Sequence, residues 1–586
     1  MDQNCDVAII GGGPSGSTVG ALLKKYNPSL NVMIFEREVF PRDHVGESLL
    51  PPISKILDEM GCWDKVEAAD FPIKIGATYR WGKRPELWDF EFLASETFRD
   101  EPRPATFMGQ RTQTSFQVDR SVYDKILLDQ AESNGCKVLQ KTKVSKVNTQ
   151  DDKVVSLILD TGELVTARYY IDASGSSGIL RRALSIKSDY PTTLRNIAIY
   201  DYWQNADWAV KIGVGGTRIQ ILSVGYGWIW FIPLSPTRTS IGLVIPVEHF
   251  KASGKTPAEI YAQALGEEET VKGLIHNAES EGLLQTTKDW SFLAERHCGE
   301  NWFLVGECAG FADPILSAGV TMAQIAAQQA AYTILEMDRG KMKKSWLQES
   351  FTSRQTRRIK THIRFADYWY TANEQFSDLQ AFTSTLAKDI GLELAPDKAW
   401  AWIAQGGFID EDLRCGMGGF SLGSIKAMNN KLGDFGEDSP FDKYNVFKLD
   451  LSGASYKERA HYHNGRVTPS MSYTRGERVL PVDGAYEVVV NLLQRTSDFG
   501  ELLENLQLAI EHQISDPTIR ESSYKNAVQI LEAMITDGWI QCDFDPSQPL
   551  HNLSCEDRPV RWQSELASAS LSQSKERGVP CSVAKE

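Results

Sequence analysis

Gly11, Gly13 and Gly16 stand in GxGxxG spacing near the N-terminus, with Pro14 and Ser15 between them. Glu36 follows about twenty residues on. Glycines at this spacing let a backbone turn sharply and approach a pyrophosphate, whose charge the N-terminus of a following helix stabilises. An acid at the end of the next strand accepts hydrogen bonds from a ribose. The elements that must position these groups surround them in order. "DVAII" (6–10) is an apolar run of strand length, "PSGSTVGALLKK" (14–25) has the character of a helix, and "NVMIFER" (31–37) is a second apolar run. Strand, glycine turn, helix, strand and acid together predict a dinucleotide-binding unit, which a lone GxGxxG would not.

A second set of residues is aromatic. "GWIWFIPL" (227–234) places Trp228, Trp230 and Ile232 on one side of a strand, with Ile229 and Phe231 on the other. Both faces are apolar, so periodicity alone reads as a buried core strand. Whether the indoles do more depends on the cofactor.

Composition narrows the choices. A chain of 586 residues exceeds what one core organises, so two or three units are expected. A net charge of -15 argues against nucleic acid as principal partner. No run approaches the ~20 apolar residues that span a bilayer, and "MDQNCDVAII" lacks a basic region followed by an apolar one. The expectation is a cytoplasmic protein with no membrane partner. Nine cysteines form no CxxC pair, the nine histidines form no HExxH, and His461 and His463 have no acidic or thiol neighbours in sequence, so no metal site is expected.

Three segments, in family order, resemble the para-hydroxybenzoate hydroxylase-like flavoproteins. They are "VDRSVYDKILLDQAESNG" (118–135), "YYIDASGSSGILRRAL" (169–184) and "NWFLVGECAGFADPILSAGVTMAQIAAQQAA" (301–331). The resemblance implies FAD as the dinucleotide, with Arg120 near its phosphates and Asp172 and Gly175 in the second turn. It places Gly306 in a GD-type motif whose acid contacts the ribityl chain. Here Glu307 replaces the usual aspartate, so that contact is expected at Asp313.

Two further stretches resemble flavin-dependent halogenases. "FPRDHVGESLLP" (40–51) is similar to their FPRxxxGESLLP segment, and residues 228–233 complete their WxWxIP motif. The resemblance adds Arg37, Arg42 and Ser48 to the cofactor shell. It places Lys74, in "FPIKIGATYRWG" (71–82), where relatives of the chloramphenicol-pathway enzyme carry an active-site lysine. A lysine in isolation is usually a solvated surface residue; the surrounding match is what singles this one out. FADH2 and O2 would give a C4a-hydroperoxide, and chloride or bromide attacking its distal oxygen would give hypohalous acid. Trp228 and Trp230 would keep organic substrates away from the flavin. Lys74 would hydrogen-bond the oxidant or form a chloramine, which burial favours by lowering its pKa. "ILSAGVT" (315–321) offers backbone N–H groups of Ser317, Ala318, Gly319 and Val320 as a halide site at a helix start, with Gly319 and Val320 also facing the flavin. No acid occurs in "LSAGV", which departs from the tryptophan-specific enzymes and leans toward the phenol, pyrrole and chloramphenicol-type branch. Asp289 is expected beside the flavin ring edge, or alternatively as a turn cap.

The fold class that follows is α/β. Residues 1–340 should form a Rossmann-like FAD-binding core with an inserted antiparallel substrate sheet at roughly 70–110 and 185–290. Residues 341–475 read as a helical and loop region over a substrate tunnel, 476–550 as three helices and a short strand similar to a winged helix, and 551–586 as a polar disordered tail. The expected activity is halogenation of an electron-rich, phenol-like aromatic, free or carrier-tethered, with a separate flavin reductase as partner. An aromatic hydroxylase, a geranylgeranyl-reductase-like enzyme and a non-catalytic flavin-binding assembly protein are the alternatives.

Overall fold

In the computed structural model, the described residues are 3–81, 86–93, 95–192, 195–288, 291–372, 440–476, 478–515, 517–551 and 560–562. The first apolar run forms the strand Gln3–Ile10, flanked in parallel by Val32–Phe35 and Leu164–Asp172. Lys137–Leu139 and Trp302–Leu304 extend the parallel set, and Val144–Gln150 with Lys153–Leu159 add an antiparallel edge. This is the doubly wound arrangement in which ligands bind at the carboxyl ends of the strands.

Two helices cover the face that matters. Pro14–Tyr26 follows the glycine turn, and Gly319–Arg339 packs on it through the small buried residues Ala326, Ala327, Ala330 and Ala331. Lys344–Ala372 then runs on as a helix of 29 residues, beyond the expected end of the flavin unit.

The second sheet has ten strands among the described residues. Its centre is Gly227–Pro233, paired antiparallel with Gly216–Val224 and Arg238–Pro246 and buried along its whole length. The alternation read from the sequence holds. Trp228, Trp230 and Ile232 join the core shared with Ala312, Ile315 and Ala318 of the flavin unit and Ile363 and Tyr370 of the long helix. Ile229 and Phe231 pack on the opposite side against Ile260, Tyr261 and Ala264 of the helix Pro257–Glu267. Ile73–Arg80, the strand that carries Lys74, lies parallel to Gly216–Val224.

The C-terminal third differs from expectation in two places. Residues 446–475, read as helix and loop, instead contain the strand Val446–Leu449 and the hairpin Ser455–His463 with Arg466–Arg475, continued by Arg478–Val482. The hairpin turns on Asn464 and Gly465, both at positive φ (43° and 71°), the pair that a two-residue hairpin loop prefers. That Asn-Gly signal is present in the sequence. The tail is also not wholly free: Val560–Trp562 adds an antiparallel strand to Trp88–Glu91 at the edge of the second sheet. The three expected helices occur as Gly484–Leu493, Phe499–Gln513 and Pro517–Thr536, followed by Ile540–Asp543. That strand pairs back to Val446–Leu449, ahead of the helices, and among the described residues no hairpin follows the last helix. The Gly-rich stretch 415–440 up to residue 439, the aromatics of 373–405 and most of the tail lie outside the described residues. No helix among the described residues is long and apolar enough to cross a membrane.

Candidate active site

The glycine turn is fixed by backbone contact. A Cβ on Gly16 would lie 1.9 Å from the Gly11 carbonyl oxygen, and one on Gly11, at φ 104°, would lie 2.4 Å from that of Ala173. The helix that follows has Gly13 as N-cap, no capping side chain and no acid in its first turn, so its leading N–H groups are open to an anion. Glu36 is buried and accepts from the Gly12 and Glu38 N–H groups at 2.7 and 2.8 Å. Arg37 points outward beside Glu38.

The other flavin segments converge here. Gly306, at φ 69°, approaches so closely that its Cβ would sit 2.5 Å from the Ser15 hydroxyl oxygen. A Cβ on Gly175 would lie 3.8 Å from Glu307 Oε2. A narrow cleft is lined by Glu307, Gly319 and Met322 and by Gln355, Arg358 and Ile359 of the long helix. Arg120 is buried; it donates to both oxygens of Asp124 at 2.7 and 2.9 Å and to the Val45 and Gly46 carbonyls. Arg42 lies 3.3 Å from the same Asp124. Among the described residues, Ser48 Oγ, both polar atoms of Gln117, which bridges to Ser48, and Thr321 Oγ1 are buried without a hydrogen-bond partner. Close-approach glycines, an uncapped helix start and unmet polar atoms in the motif segments fit a dinucleotide flavin.

Two expected cofactor carboxylates are otherwise engaged. Asp172 is fully buried and accepts from the Ser174 hydroxyl and from the Ser174 and Leu180 N–H groups, so it holds its own turn. Asp313 accepts from the Ile315 N–H at 2.9 Å, from the Tyr370 hydroxyl at 3.1 and 3.2 Å, and from Asn196 Nδ2 at 3.4 Å. Burial pushes its pKa up to about 7. Asp289 lies outside the described residues.

The turn expected to hold halide follows Asp313. Ser317 adopts φ 54°, and the helix Gly319–Arg339 starts behind Ala318 with no side-chain cap. Gly319 abuts the Phe311 ring, 2.7 Å from where a Cβ would stand. A Cβ on Gly46 would lie 3.1 Å from Arg120 Nη1 and 3.7 Å from Val320 Cγ2, so the GESLLP segment, the arginine and this turn are neighbours.

Beside the turn stands an aromatic wall. Trp230 lies directly over Gly242 of the next strand, where any Cβ would fall 2.2 Å from the indole, and donates from Nε1 to the Ser240 hydroxyl at 3.0 Å. Trp228 donates from Nε1 to the Tyr370 hydroxyl at 2.8 Å. Trp81 packs edge-on against both Trp228 and Tyr370, each at 6.3 Å between centroids.

Lys74 reaches this same face because its strand is irregular. From Gly76 onward, strict alternation puts Ala77 and Tyr79 on the tryptophan side and Thr78 and Arg80 on the other. The register against Gly216–Val224 slips by one residue between Lys74 and Gly76, so Lys74 stands opposite Thr217, in line with Ile219 and Ile221 of the tryptophan face. This is a β-bulge, which re-aims a side chain. The Lys74 ammonium sits 5.4 Å from the centroid of Phe92, whose ring packs on Phe90 in the same core. Lys74 is 2% exposed, and burial lowers its pKa to about 7.

The tryptophan halogenase family model matches residues 6–101 and 94–380. The chain belongs to this family. It is 32% identical over 349 residues to a 1H-pyrrole-2-carbonyl-[peptidyl-carrier protein] chlorinase of Pseudomonas fluorescens, covering 57% of this chain and 76% of that one. It is equally identical over 350 residues to a tryptophan 2-halogenase of Chondromyces crocatus, covering 58% and 63%. Among solved structures, the flavin-dependent halogenase CmlS aligns over 94% of this chain and 97% of its own length, with a TM-score of 0.68 and 26% identity.

The protein is therefore an FAD-dependent halogenase using a halide and O2, and the hydroxylase, reductase and non-catalytic alternatives fall away. In this halogenase Arg120 and Val320 are neighbours through Gly46, and Lys74 shares a sheet face with the two tryptophans. The sequence reading passed over three residues. Glu307 lines the cleft where Asp313 does not. Tyr370 lies beyond the recognised motifs. Glu47, inside the quoted GESLLP, is buried, accepts from the Tyr202 hydroxyl at 3.0 Å, and is raised by burial to about 7. Its signal is its burial, which no pattern in the sequence states.

Proposed function

We propose that this halogenase chlorinates or brominates an electron-rich aromatic, phenol-like in character and either free or tethered to a carrier protein, through hypohalous acid captured at Lys74. The observation that carries the proposal is the bulge-directed placement of a buried lysine on the same sheet face as Trp228 and Trp230. FADH2 supplied by a separate reductase and bound at the glycine turn would provide, with O2, the oxidising equivalents that turn halide into hypohalous acid.

The chain's own residues do the rest. The Gly13 helix start and Arg42 would receive the phosphates, Glu36 the ribose, and Glu307, in place of Asp313, the ribityl chain. The N–H groups of the 317–320 turn would hold the halide. Trp228 and Trp230, sealed by Trp81 and Tyr370, would exclude organic substrate from the site of oxidation. At Lys74 the neutral amine, accessible because its pKa lies near 7, attacks the chlorine of hypochlorous acid. The N–Cl bond forms, the Cl–O bond breaks, and the departing hydroxide takes the amine proton as water. The ring then attacks chlorine, and the nitrogen keeps the electron pair and regains a proton. The absence of an acid in 317–320 and the tethered substrate in the name of the Pseudomonas relative support a substrate other than free tryptophan.

The test supplies the protein with FAD, a flavin reductase, NADH, O2 and chloride or bromide, and examines phenols and pyrroles, free and carrier-bound, for halogen isotope patterns by mass spectrometry. Lys74→Ala should abolish halogenated product while flavin oxidation continues. Retained halogenation would move the capture step to another residue.

A further inference from the structure

We infer that Asp313 and Tyr370 are positioning residues that couple the halide-holding turn to the tryptophan wall, so that the turn's conformation and the orientation of Trp228 are set together. The inference rests on the reading of 317–320 as the halide site and of Trp228 as the barrier. Three parts of the molecule meet at one point: Asp313 from the flavin unit, Trp228 from the centre of the second sheet, and Tyr370 from the far end of the long helix. All three are at most 3% exposed.

The hydrogen bonds between them have a single direction. The indole N–H of Trp228 donates to the Tyr370 oxygen, and Tyr370 spends its one proton on Asp313. Asp313 accepts in this chain of bonds, and the other group it accepts from is the Ile315 N–H, inside the short Pro314–Leu316 helix it caps. That short helix ends in Ser317 at φ 54°, a conformation costly for a residue with a Cβ and held only where its surroundings over-determine it. The carboxylate that fixes the strained start of the halide turn is thus also the group that, through one phenol, holds the indole.

Ordinary burial explains each bond separately, because buried donors need acceptors. It does not require that one carboxylate serve both the turn and the wall. Phe cannot accept from the indole, so Tyr370→Phe leaves Trp228 Nε1 buried without its partner and Asp313 without the phenol. An indole released in this way can rotate, and the barrier and the turn then relax independently.

The experiment uses FAD-loaded full-length protein and three readouts: the melting-temperature shift produced by sodium bromide, the KM for chloride separated from kcat, and halogenated product formed per flavin oxidised. Tyr370→Phe is expected to raise the chloride KM roughly tenfold, the loss expected for one hydrogen bond to a charged or buried group. It should also shrink the bromide-induced shift and lower product yield per flavin, with kcat at saturating chloride little changed. Trp228→Phe should act similarly, and the double variant should be clearly less than additive. Thr192→Val, which removes a hydrogen bond to Asp367 on the same helix, should lower the melting temperature and leave the chloride KM alone. Wild-type halide KM and bromide shift in Tyr370→Phe, or full additivity with Trp228→Phe, would overturn the coupling. Should Tyr370→Phe fail to fold, Asp313→Asn, which can still cap Ile315, decides by the same readouts. The bromide shift does not depend on turnover, so it tests the coupling even if no organic substrate is halogenated.

Discussion

The glycine turn and the lysine strand are positioned by opposite routes. In the glycine turn every constraint is local or between neighbouring strands. Gly11, Gly13 and Gly16 lie within six residues, and a Cβ on Gly11 or Gly16 would meet the backbone of Ala173, just past the end of the adjoining strand, or of the turn itself. In the lysine strand the position of the functional group depends on a register slip against Gly216–Val224, more than a hundred residues away in the chain. A motif can encode the first because sequence spacing and spatial spacing coincide. The second is encoded only in how two distant strands pair.

The sharpest way to break the glycine side is Gly16→Ala. The added carbon would stand 1.9 Å from a backbone oxygen that belongs to the turn and cannot swing aside. Flavin binding should be lost, read as absence of bound FAD in the purified protein and of flavin-induced thermal stabilisation, and the melting temperature should fall. Normal FAD content would mean that the turn tolerates separation from the helix, and its motif would then say less about the site than proposed.

The lysine side is broken at Gly76, where the bulge ends. A Cβ there would lie 2.0 Å from the Phe90 carbonyl oxygen across the strand pair. Gly76→Ala should therefore force the slip to move or the neighbouring strand to part, at a cost of about 1–3 kcal/mol as for other overpacked buried sites. FAD content should remain near normal, since the glycine turn is elsewhere, while halogenated product falls by at least tenfold because Lys74 is re-aimed. Product and FAD falling together would show that the two regions are not separable in the way their constraints suggest.

This contrast also explains what the sequence made legible. Trp228 and Trp230 could be assigned to one face because their strand is regular, and the structure keeps them there. Lys74 could be singled out by its surroundings, yet simple alternation from Tyr79 would have put it on the wrong face. Asp313 looked like a free cofactor ligand because nothing in "FADP" reveals Tyr370, which arrives from a helix 57 positions further on. The hairpin at 455–475 was the reverse case: its Asn464-Gly465 turn is a local signal that polar, weakly alternating flanks obscured. Local backbone requirements survive translation into sequence, and pairings between distant elements do not.

The smallest effect sharpens the lysine side without altering its shape. Burial lowers the Lys74 pKa from the ordinary 10.5 to about 7, so between those values the unfolded chain holds a proton that the folded chain has released. Stability therefore rises with pH across that window, by up to about 1.4 kcal/mol per pH unit for a single group. Glu47, Asp313 and Asp367 work the other way and lower down: burial raises each to about 7, so their contribution declines as pH rises from the ordinary carboxylate range toward 7. Their titration overlaps that of folded Lys74 near pH 7, but a substitution at Lys74 alone leaves their contribution common to both proteins. Denaturant unfolding of wild type and Lys74→Met from pH 7 to 10 should give curves whose difference narrows in the wild type's favour with increasing pH, while their difference between pH 4 and 6 stays constant. A difference that is flat from pH 7 to 10 would mean that the folded protein keeps Lys74 charged, and that the ammonium, by hydrogen-bonding the oxidant, rather than the amine, does the chemistry.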